Sequence, residues 1–264
     1  MKYHNIEDHL EKHPMGSPYL KYAYNQYSQN GEDGIIKKIL DELEVKKGTV
    51  VEFGAWDGIY LSNVFNLTYN YDFNSILIEG DPQKASEYVD PKGNSKMYNF
   101  LVSPDKDDDN SIDNILEKIG YENKNDDLVL MSIDIDSSDY YVLESIKRYL
   151  PIIIVIETSI SYPLGSLFRS YDQGCSFDSV WELCKDMGYS IVAYTSNAIL
   201  VRSDYLHKLK EFDIDSTMEK IYINQDQYLI LGKINENGEI LENYFTHTKE
   251  YMNKIEKIKN KDVI

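Results

Sequence analysis

The stretch Thr49-Val50-Val51-Glu52-Phe53-Gly54-Ala55-Trp56-Asp57-Gly58 constrains the fold more than any other. A β-branched run ends in an acid, a Gly-x-x-x-Gly turn follows, and Leu61-Ser62-Asn63 opens a helix. Strand, tight glycine turn and helix, in that order, present backbone N–H groups and a helix N-terminus to a ligand. The spacing is not the Gly-x-Gly-x-x-Gly that lets a backbone approach a pyrophosphate. With Glu52 before the turn and Asp57 inside it, the loop repels a pyrophosphate and suits a sulfonium and an amino-acid ammonium.

The pattern repeats along the chain. Ser28 and Asn30 can cap a helix with Ile35, Ile36, Ile39, Leu40 and Leu43 on one face, ended by Lys46-Lys47-Gly48. Strands are predicted at Thr49–Phe53, Ser75–Ile78, Lys96–Val102, Leu128–Ile133 and Ile152–Ile156, with helices between them. The apolar run Ile152-Ile153-Ile154-Val155-Ile156 reads as a central strand buried on both faces. Ser190–Tyr194 and Ala198–Val201 flank Thr195-Ser196-Asn197 as a hairpin, after a helix carrying Phe177, Val180, Trp181, Cys184 and Met187. Residues 204–264 are acidic and lysine-rich, with weak helical patterns and with edge strands expected at Tyr222 and at Tyr228–Leu231. Alternating strands and helices predict an α/β, doubly wound, parallel sheet. Its domain spans 27–203, with an arm at 1–26 (tyrosines 3, 19, 22 and 24) and an extension at 204–264 packed on the same domain.

Such sheets bind ligands at the carboxyl ends of their strands. Those ends carry Glu52, Glu79, Asp134 with Asp136, and Glu157. Acids gathered on one rim repel one another unless a cationic ligand or metal lies between them. Glu79 ends the second strand, where an acid accepts hydrogen bonds from both hydroxyls of an adenosine ribose. Asp134, Asp136 and Glu157 offer hard oxygen ligands suited to magnesium, manganese or calcium; against this, Glu157 could equally cap a helix or pair with Arg169. The acidic loop Asp105–Asn110 lacks the glycine and terminal glutamate of a calcium loop and reads as a solvated connection.

A net charge of -18 and a pI near 4.6 argue against nucleic acid and anionic membrane surfaces as partners. No signal peptide is visible, and the longest apolar run is too short to span a bilayer. Cys175 and Cys184 make no metal spacing and read as buried small hydrophobes on a helix face, which suits a reducing cytoplasm. None of His4, His9, His13, His207 and His247 falls on a strand end, so a catalytic base here is a carboxylate or a hydroxyl acidified by a metal.

The blocks Ser28-Gln29-Asn30-Gly31-Glu32-Asp33-Gly34, Val51 to Gly58, Leu77-Ile78-Glu79-Gly80-Asp81-Pro82 and Ser132-Ile133-Asp134-Ile135-Asp136 resemble, in order, those of FkbM-like S-adenosylmethionine-dependent methyltransferases. The resemblance covers about residues 27–202 and is nearest the branch found in bacterial surface-polysaccharide gene clusters. It implies a class I, Rossmann-like, mostly parallel seven-stranded sheet with an antiparallel last strand. It also implies O-methylation of a sugar- or nucleotide-linked capsule precursor, in some relatives with a divalent cation (Mg2+ or Mn2+). Glu52, Gly54, Asp57 and Asn63 would surround the methionine part, Glu79 would hold the ribose and Asp134 would lie near the reactive centre. The candidate cofactor contacts are these with Gln29, Ala55, Trp56, Ser62, Gly80, Asp81 and Val102. Asp134, Asp136 and Glu157 are the catalytic and metal candidates. Relatives commonly carry glycine where Ser137-Ser138 stands here.

Tyr140, Tyr162, Arg169 and Tyr171 are the substrate candidates, because loops over a strand rim read substrates and an arginine could meet a phosphate. Each has a plainer reading in packing or in a surface pair. Trp56 could stack on the cofactor or pack beneath the loop, and Trp181 reads as core. The tyrosine-rich arm is a candidate homodimer contact. Two other functions stay open: a nicotinamide-dependent oxidoreductase, which the glycine spacing disfavours, and a non-catalytic cofactor-binding assembly protein.

Overall fold

The computed structural model describes residues 5–124, 126–241 and 249–260; Tyr3, His4 and His247 lie outside them. Seven strands form one sheet: β1 (Lys47–Phe53), β2 (Asp72–Glu79), β3 (Ser95–Asn99), β4 (Leu128–Ile133), β5 (Ile153–Glu157), β6 (Tyr189–Tyr194) and β7 (Asn197–Arg202). Their order is β3-β2-β1-β4-β5-β7-β6. Every described pairing is parallel except those of β7, which runs antiparallel to both β5 and β6. This is the class I methyltransferase fold, α/β with one reversed strand. The winding reverses between β1 and β4, so the ligand crevice of such a sheet opens there.

The middle strands are buried along nearly their whole length because they have neighbours on both edges. All six residues of β4 are buried, as are the first four of β5, and only Glu157 at its end is partly open. The edge strand β3 is only half-buried.

The helices are α1 (Ile6–Lys12), α2 (Glu32–Leu43), α3 (Phe65–Asn70), α4 (Pro82–Glu87), α5 (Ile112–Lys118), α6 (Asp139–Ser145), α7 (Phe177–Asp186), α8 (Met218–Ile221), α9 (Gln225–Leu231) and α10 (Lys249–Lys259). Several boundaries differ from the sequence pattern. Helix α2 stops at Leu43, where Glu44 turns left-handed (φ 60°) and returns its N–H to the Leu40 carbonyl; Lys47 and Gly48 already belong to β1. The helix after the glycine loop starts at Phe65, because Leu61 is itself left-handed (φ 56°). Strand β3 ends at Asn99, which leaves Val102 beyond it.

Tyr228–Leu231 is helical, not an edge strand. A reciprocal cap starts α9, with Asn224 Oδ1 accepting the Gln227 N–H (3.0 Å) and Gln227 Oε1 accepting the Asn224 N–H (2.8 Å). That Asn-x-x-Gln spacing outweighs the strand propensity of the tyrosine and isoleucine that follow. Tyr222 is the residue that ends α8.

Tyr19, Leu20, Leu206, Ile221, Ile223, Leu231 and Ile234 share one buried cluster with β1, β4 and β5. A second, smaller cluster joins Ile255 and Ile258 of α10 to Tyr27, Ile59 and Phe65. Among the described residues no helix is long and apolar enough to cross a membrane.

Candidate active site

Two cavities open at the carboxyl ends of the strands. The first, about 250 Å³, lies at β1, β2 and β4 and is lined by Gly54, Trp56, Ile78–Asp81, Phe100–Val102 and Asp134–Ser138. Gly54 (φ 72°) is required here, since a Cβ on it would stand 1.6 Å from the Asp134 carbonyl oxygen. The first loop can therefore close onto the end of β4.

Glu79 fastens the glycine loop to the end of β2. Its Oε2 accepts the Trp56 N–H and its Oε1 the Asp81 N–H, each at 2.7 Å. Trp56 is held left-handed (φ 50°), its ring half-exposed at the cavity with the Lys84 ammonium 4.4 Å from the ring centroid. Asp81 lines the cavity but spends its carboxylate on the start of α4, accepting the N–H groups of Gln83 (2.8 Å) and Lys84 (3.2 Å).

Other loop candidates stand behind the cavity wall. Glu52 accepts the Ser62 hydroxyl (2.5 Å) and the Asn63 N–H (2.8 Å), while Asn63 donates to Ser132 Oγ (3.1 Å). Burial pushes the Glu52 carboxyl up to about 8, against the pull of those two donors. Asp57 accepts the N–H groups of Ile59 (3.0 Å) and Tyr60 (2.8 Å) and the Lys259 ammonium (2.6 Å). Of the expected cofactor residues, the cavity gathers Gly54, Trp56, Glu79, Gly80, Asp81, Val102 and Asp134. Gln29, Glu52, Ala55, Asp57, Ser62 and Asn63 are not among its lining residues.

The second cavity, about 330 Å³, lies past β5 and β7 and shares Asp136 with the first. Its other walls are Glu157–Ile160, Gln173–Cys175, Ser196 and Tyr228. Asp134, Asp136 and Glu157 stand at the junction, each offering a carboxylate oxygen within 4.8 Å of the others. The placement of Asp136 depends on Asp139, a buried residue that sequence reasoning did not single out. It accepts the N–H groups of Ile135 (2.8 Å) and Ser137 (3.0 Å) and so folds the turn in which Asp136 adopts φ 59°. The usable signal was an acid in the first turn of a helix just after a strand. Burial pushes the Asp134 and Glu157 carboxyls well above the ordinary range, and the neighbouring carboxylates add to it. Among the described residues none of the three acids forms an ion pair.

The Ser28–Gly34 block braces this rim. Glu32, fully buried, accepts the Asn30 N–H (2.7 Å), the Thr195 hydroxyl (2.6 Å) and the Asn197 amide (3.0 Å), which ties the block to the β6–β7 turn beside Ser196. Asp33 gathers the N–H groups of Gln26, Tyr27 and Ser28, and burial raises it to about 6.

The substrate candidates fall elsewhere: Tyr140, Tyr162, Arg169 and Tyr171 are not among the residues lining these two cavities. Arg169 donates to the Tyr140 hydroxyl (2.6 Å), Tyr171 stacks on Tyr141 (ring centroids 3.9 Å apart), and Tyr162 stacks on Phe168 (4.3 Å). Tyr228 and Gln173 do line the second cavity, and no spacing in the sequence links them to Glu157. Both cysteines are buried; Cys184 lies on α7, while Cys175 precedes the helix and lines the second cavity.

No protein-family model and no curated protein matches the chain in sequence. Among solved structures, it is similar to an S-adenosylmethionine-dependent methyltransferase from Aquifex aeolicus, with 16% identity over 62% of this chain and 86% of that one, at a TM-score of 0.37. It is also similar to M. capricolum TrmK bound to S-adenosyl-homocysteine, with 10% identity over 85% and 96%, at 0.40. A chain of the Haloferax volcanii complex between a methyltransferase and its activator matches with 17% identity over 61% and 69%, at 0.36. These likenesses are distant.

Proposed function

We propose that this chain is an S-adenosylmethionine-dependent O-methyltransferase whose acceptor is a hydroxyl of a glycan precursor. The observation that carries the reading is the pair of cavities meeting at Asp136, one on each side of the Asp134, Asp136 and Glu157 cluster. The lining residues of the first cavity include four acids and neither lysine nor arginine, which favours a sulfonium and an ammonium over a dinucleotide's pyrophosphate. Glu79 would hold the ribose, and Trp56 and Leu101 flank the space for an apolar base. The lining residues of the second cavity carry hydroxyls, one amide and carboxylates, and again no lysine or arginine. That chemistry hydrogen-bonds an uncharged polyol and offers a phosphate no cation. A neutral sugar therefore fits better than a nucleotide-linked one.

When bound, S-adenosylmethionine supplies a sulfonium methyl group: the bond from acceptor oxygen to carbon forms as the bond from carbon to sulfur breaks, and the electron pair passes to sulfur. Glu157 faces the acceptor side and takes the hydroxyl proton. Its raised proton affinity makes its ionised form a stronger base than an exposed carboxylate. Thr158 holds the end of β5 in place, its hydroxyl donating to the Ser196 carbonyl (2.9 Å). The three carboxylate oxygens also fit a hard divalent cation such as Mg2+ or Mn2+, which when bound would acidify the acceptor hydroxyl.

A methyl-transfer assay tests this, with neutral glycosides and nucleotide-linked sugars as acceptors, with and without Mn2+. The reading expects transfer to a neutral glycoside. Transfer only to nucleotide-linked sugars would reverse the charge assignment, and transfer to neither would remove the glycan acceptor.

A further inference from the structure

The face of the glycine loop turned away from the cavity is covered by α10, which reaches it from the other end of the sequence. Ile255 and Ile258 are buried (1% and 5% exposed) against Tyr27, Ile59 and Phe65. Lys259 places its ammonium 2.6 Å from Asp57 Oδ2, while Oδ1 of the same carboxylate accepts the N–H groups of Ile59 and Tyr60. Lys254 reaches Glu236 (2.7 Å) and the Gln26 carbonyl (3.4 Å), and lies 5.0 Å from the Tyr27 ring centroid. Helix α10 thus grips both the glycine loop and the segment leading into the Ser28–Gly34 block.

The Asp57 side chain is 8% exposed. In a chain of net charge -18, a buried carboxylate in the loop that faces an acid-lined cavity is stabilised by a paired cation. Lys259 supplies it from behind the loop. Trp56, next in the chain to Asp57, lines the cavity and gives its N–H to Glu79. The position of Asp57 is therefore passed directly to the residue that touches the cavity. Helix α10 is 11 residues long, and helices of that length are marginal in water without packing. Its order depends on the loop surface it covers.

We propose that α10 is a positioning element of the cofactor site, with Lys259 acting through Asp57, so that docking of the helix and binding of the cofactor reinforce each other. The inference rests on the reading of the first cavity as the S-adenosylmethionine site. Coupling of this kind is reciprocal: whatever α10 adds to cofactor affinity, the cofactor adds to the docking of α10.

The test uses the full chain with S-adenosylhomocysteine as the probe. Calorimetric titration of wild type, Lys259→Met and Lys259→Arg is combined with amide exchange across residues 252–259, with and without saturating S-adenosylhomocysteine. Lys259→Met is expected to weaken binding by at least about fivefold, while Lys259→Arg stays within about twofold of wild type because it keeps the charge. In wild type, the α10 amides should exchange more slowly once the probe is bound, although the helix lies outside the cavity wall. Unchanged affinity in Lys259→Met, or α10 exchange that ignores the probe, overturns the proposal and leaves the cofactor site standing. Failure of wild type to bind the probe overturns both. The exchange measurement is made on wild type, so it decides even where a variant folds poorly.

Discussion

The cavity at β1, β2 and β4 and the cavity at β5 and β7 share Asp136, yet their acids are held in opposite ways. In the glycine loop and at the end of β2 the carboxylates are met by organised donors. Glu52 has Ser62 and Asn63, Glu79 has the N–H groups of Trp56 and Asp81, and Asp57 has two N–H groups and Lys259. Those acids build a loop and fix its shape before any ligand arrives. At the junction with the second side, Asp134, Asp136 and Glu157 face one another, and burial and mutual repulsion raise the first and last. One side is a finished scaffold. The other stores unfavourable charge that a proton, a cation or a reacting hydroxyl can relieve.

That contrast can be broken at several points. The largest effect belongs to Glu157→Gln. Methyl transfer should fall by roughly 100-fold to 10,000-fold, the usual range for loss of a general base, while S-adenosylhomocysteine binds as before. Equal losses of binding and turnover would place Glu157 in the cofactor half. Next comes Glu79→Ala, which strands the Trp56 and Asp81 N–H groups and removes the ribose partner. Affinity for S-adenosylhomocysteine should drop by about 10- to 100-fold, and calorimetry reads it; an unchanged Kd would make the end of β2 a bystander.

A smaller effect follows from the junction acids. Both Asp134 and Glu157 have folded-state proton affinities raised above their unfolded values, so the folded state binds more protons between the two. Their contribution to stability is present at low pH and is lost as pH rises through the raised values. Without metal, Tm should therefore decline from pH 5 towards pH 9. Glu157→Gln should flatten the slope and lie roughly 2–4 °C above wild type at the alkaline end. Added Mn2+ should lift wild type most at high pH, because it binds the ionised carboxylates. A flat wild-type profile would mean that these acids are relieved in some other way. The smallest effects are expected for Arg169→Ala and Tyr171→Ala, whose partners are Tyr140 and Tyr141 and not a cavity; KM should move by less than about twofold.

The same contrast explains what the sequence could reveal. The alternation of apolar strands with helices is set by local burial, and it foretold the doubly wound sheet, while the reversed strand was implied by the family resemblance. The first cavity is lined by the ends of successive parallel strands, so the Gly54-x-x-x-Gly58 spacing, the acid ending β2 and the acid after β4 pointed to Gly54, Trp56, Glu79 and Asp134, which the structure brings to one cavity. What spacing could not show is direction. Glu52 and Asp57 sit in the motif but turn into the protein, because their donors are Ser62, Asn63 and a lysine some 200 positions away. The second cavity is assembled from β5, residues 158–160 and 173–175, the β6–β7 turn and α9. No local period connects Glu157 with Tyr228, and the tyrosines and arginine of the rim loop, the visible signal, line neither cavity. The expected strand at Tyr228–Leu231 failed for a local reason, a capping pair that starts a helix.

The central claim, that the finished side of this rim holds S-adenosylmethionine, meets its most direct test in a calorimetric titration of the wild-type chain with S-adenosylhomocysteine and, separately, with NAD. The acid-lined cavity and its glycine loop predict saturable binding of S-adenosylhomocysteine and none of NAD. Binding of NAD with no response to S-adenosylhomocysteine would contradict it.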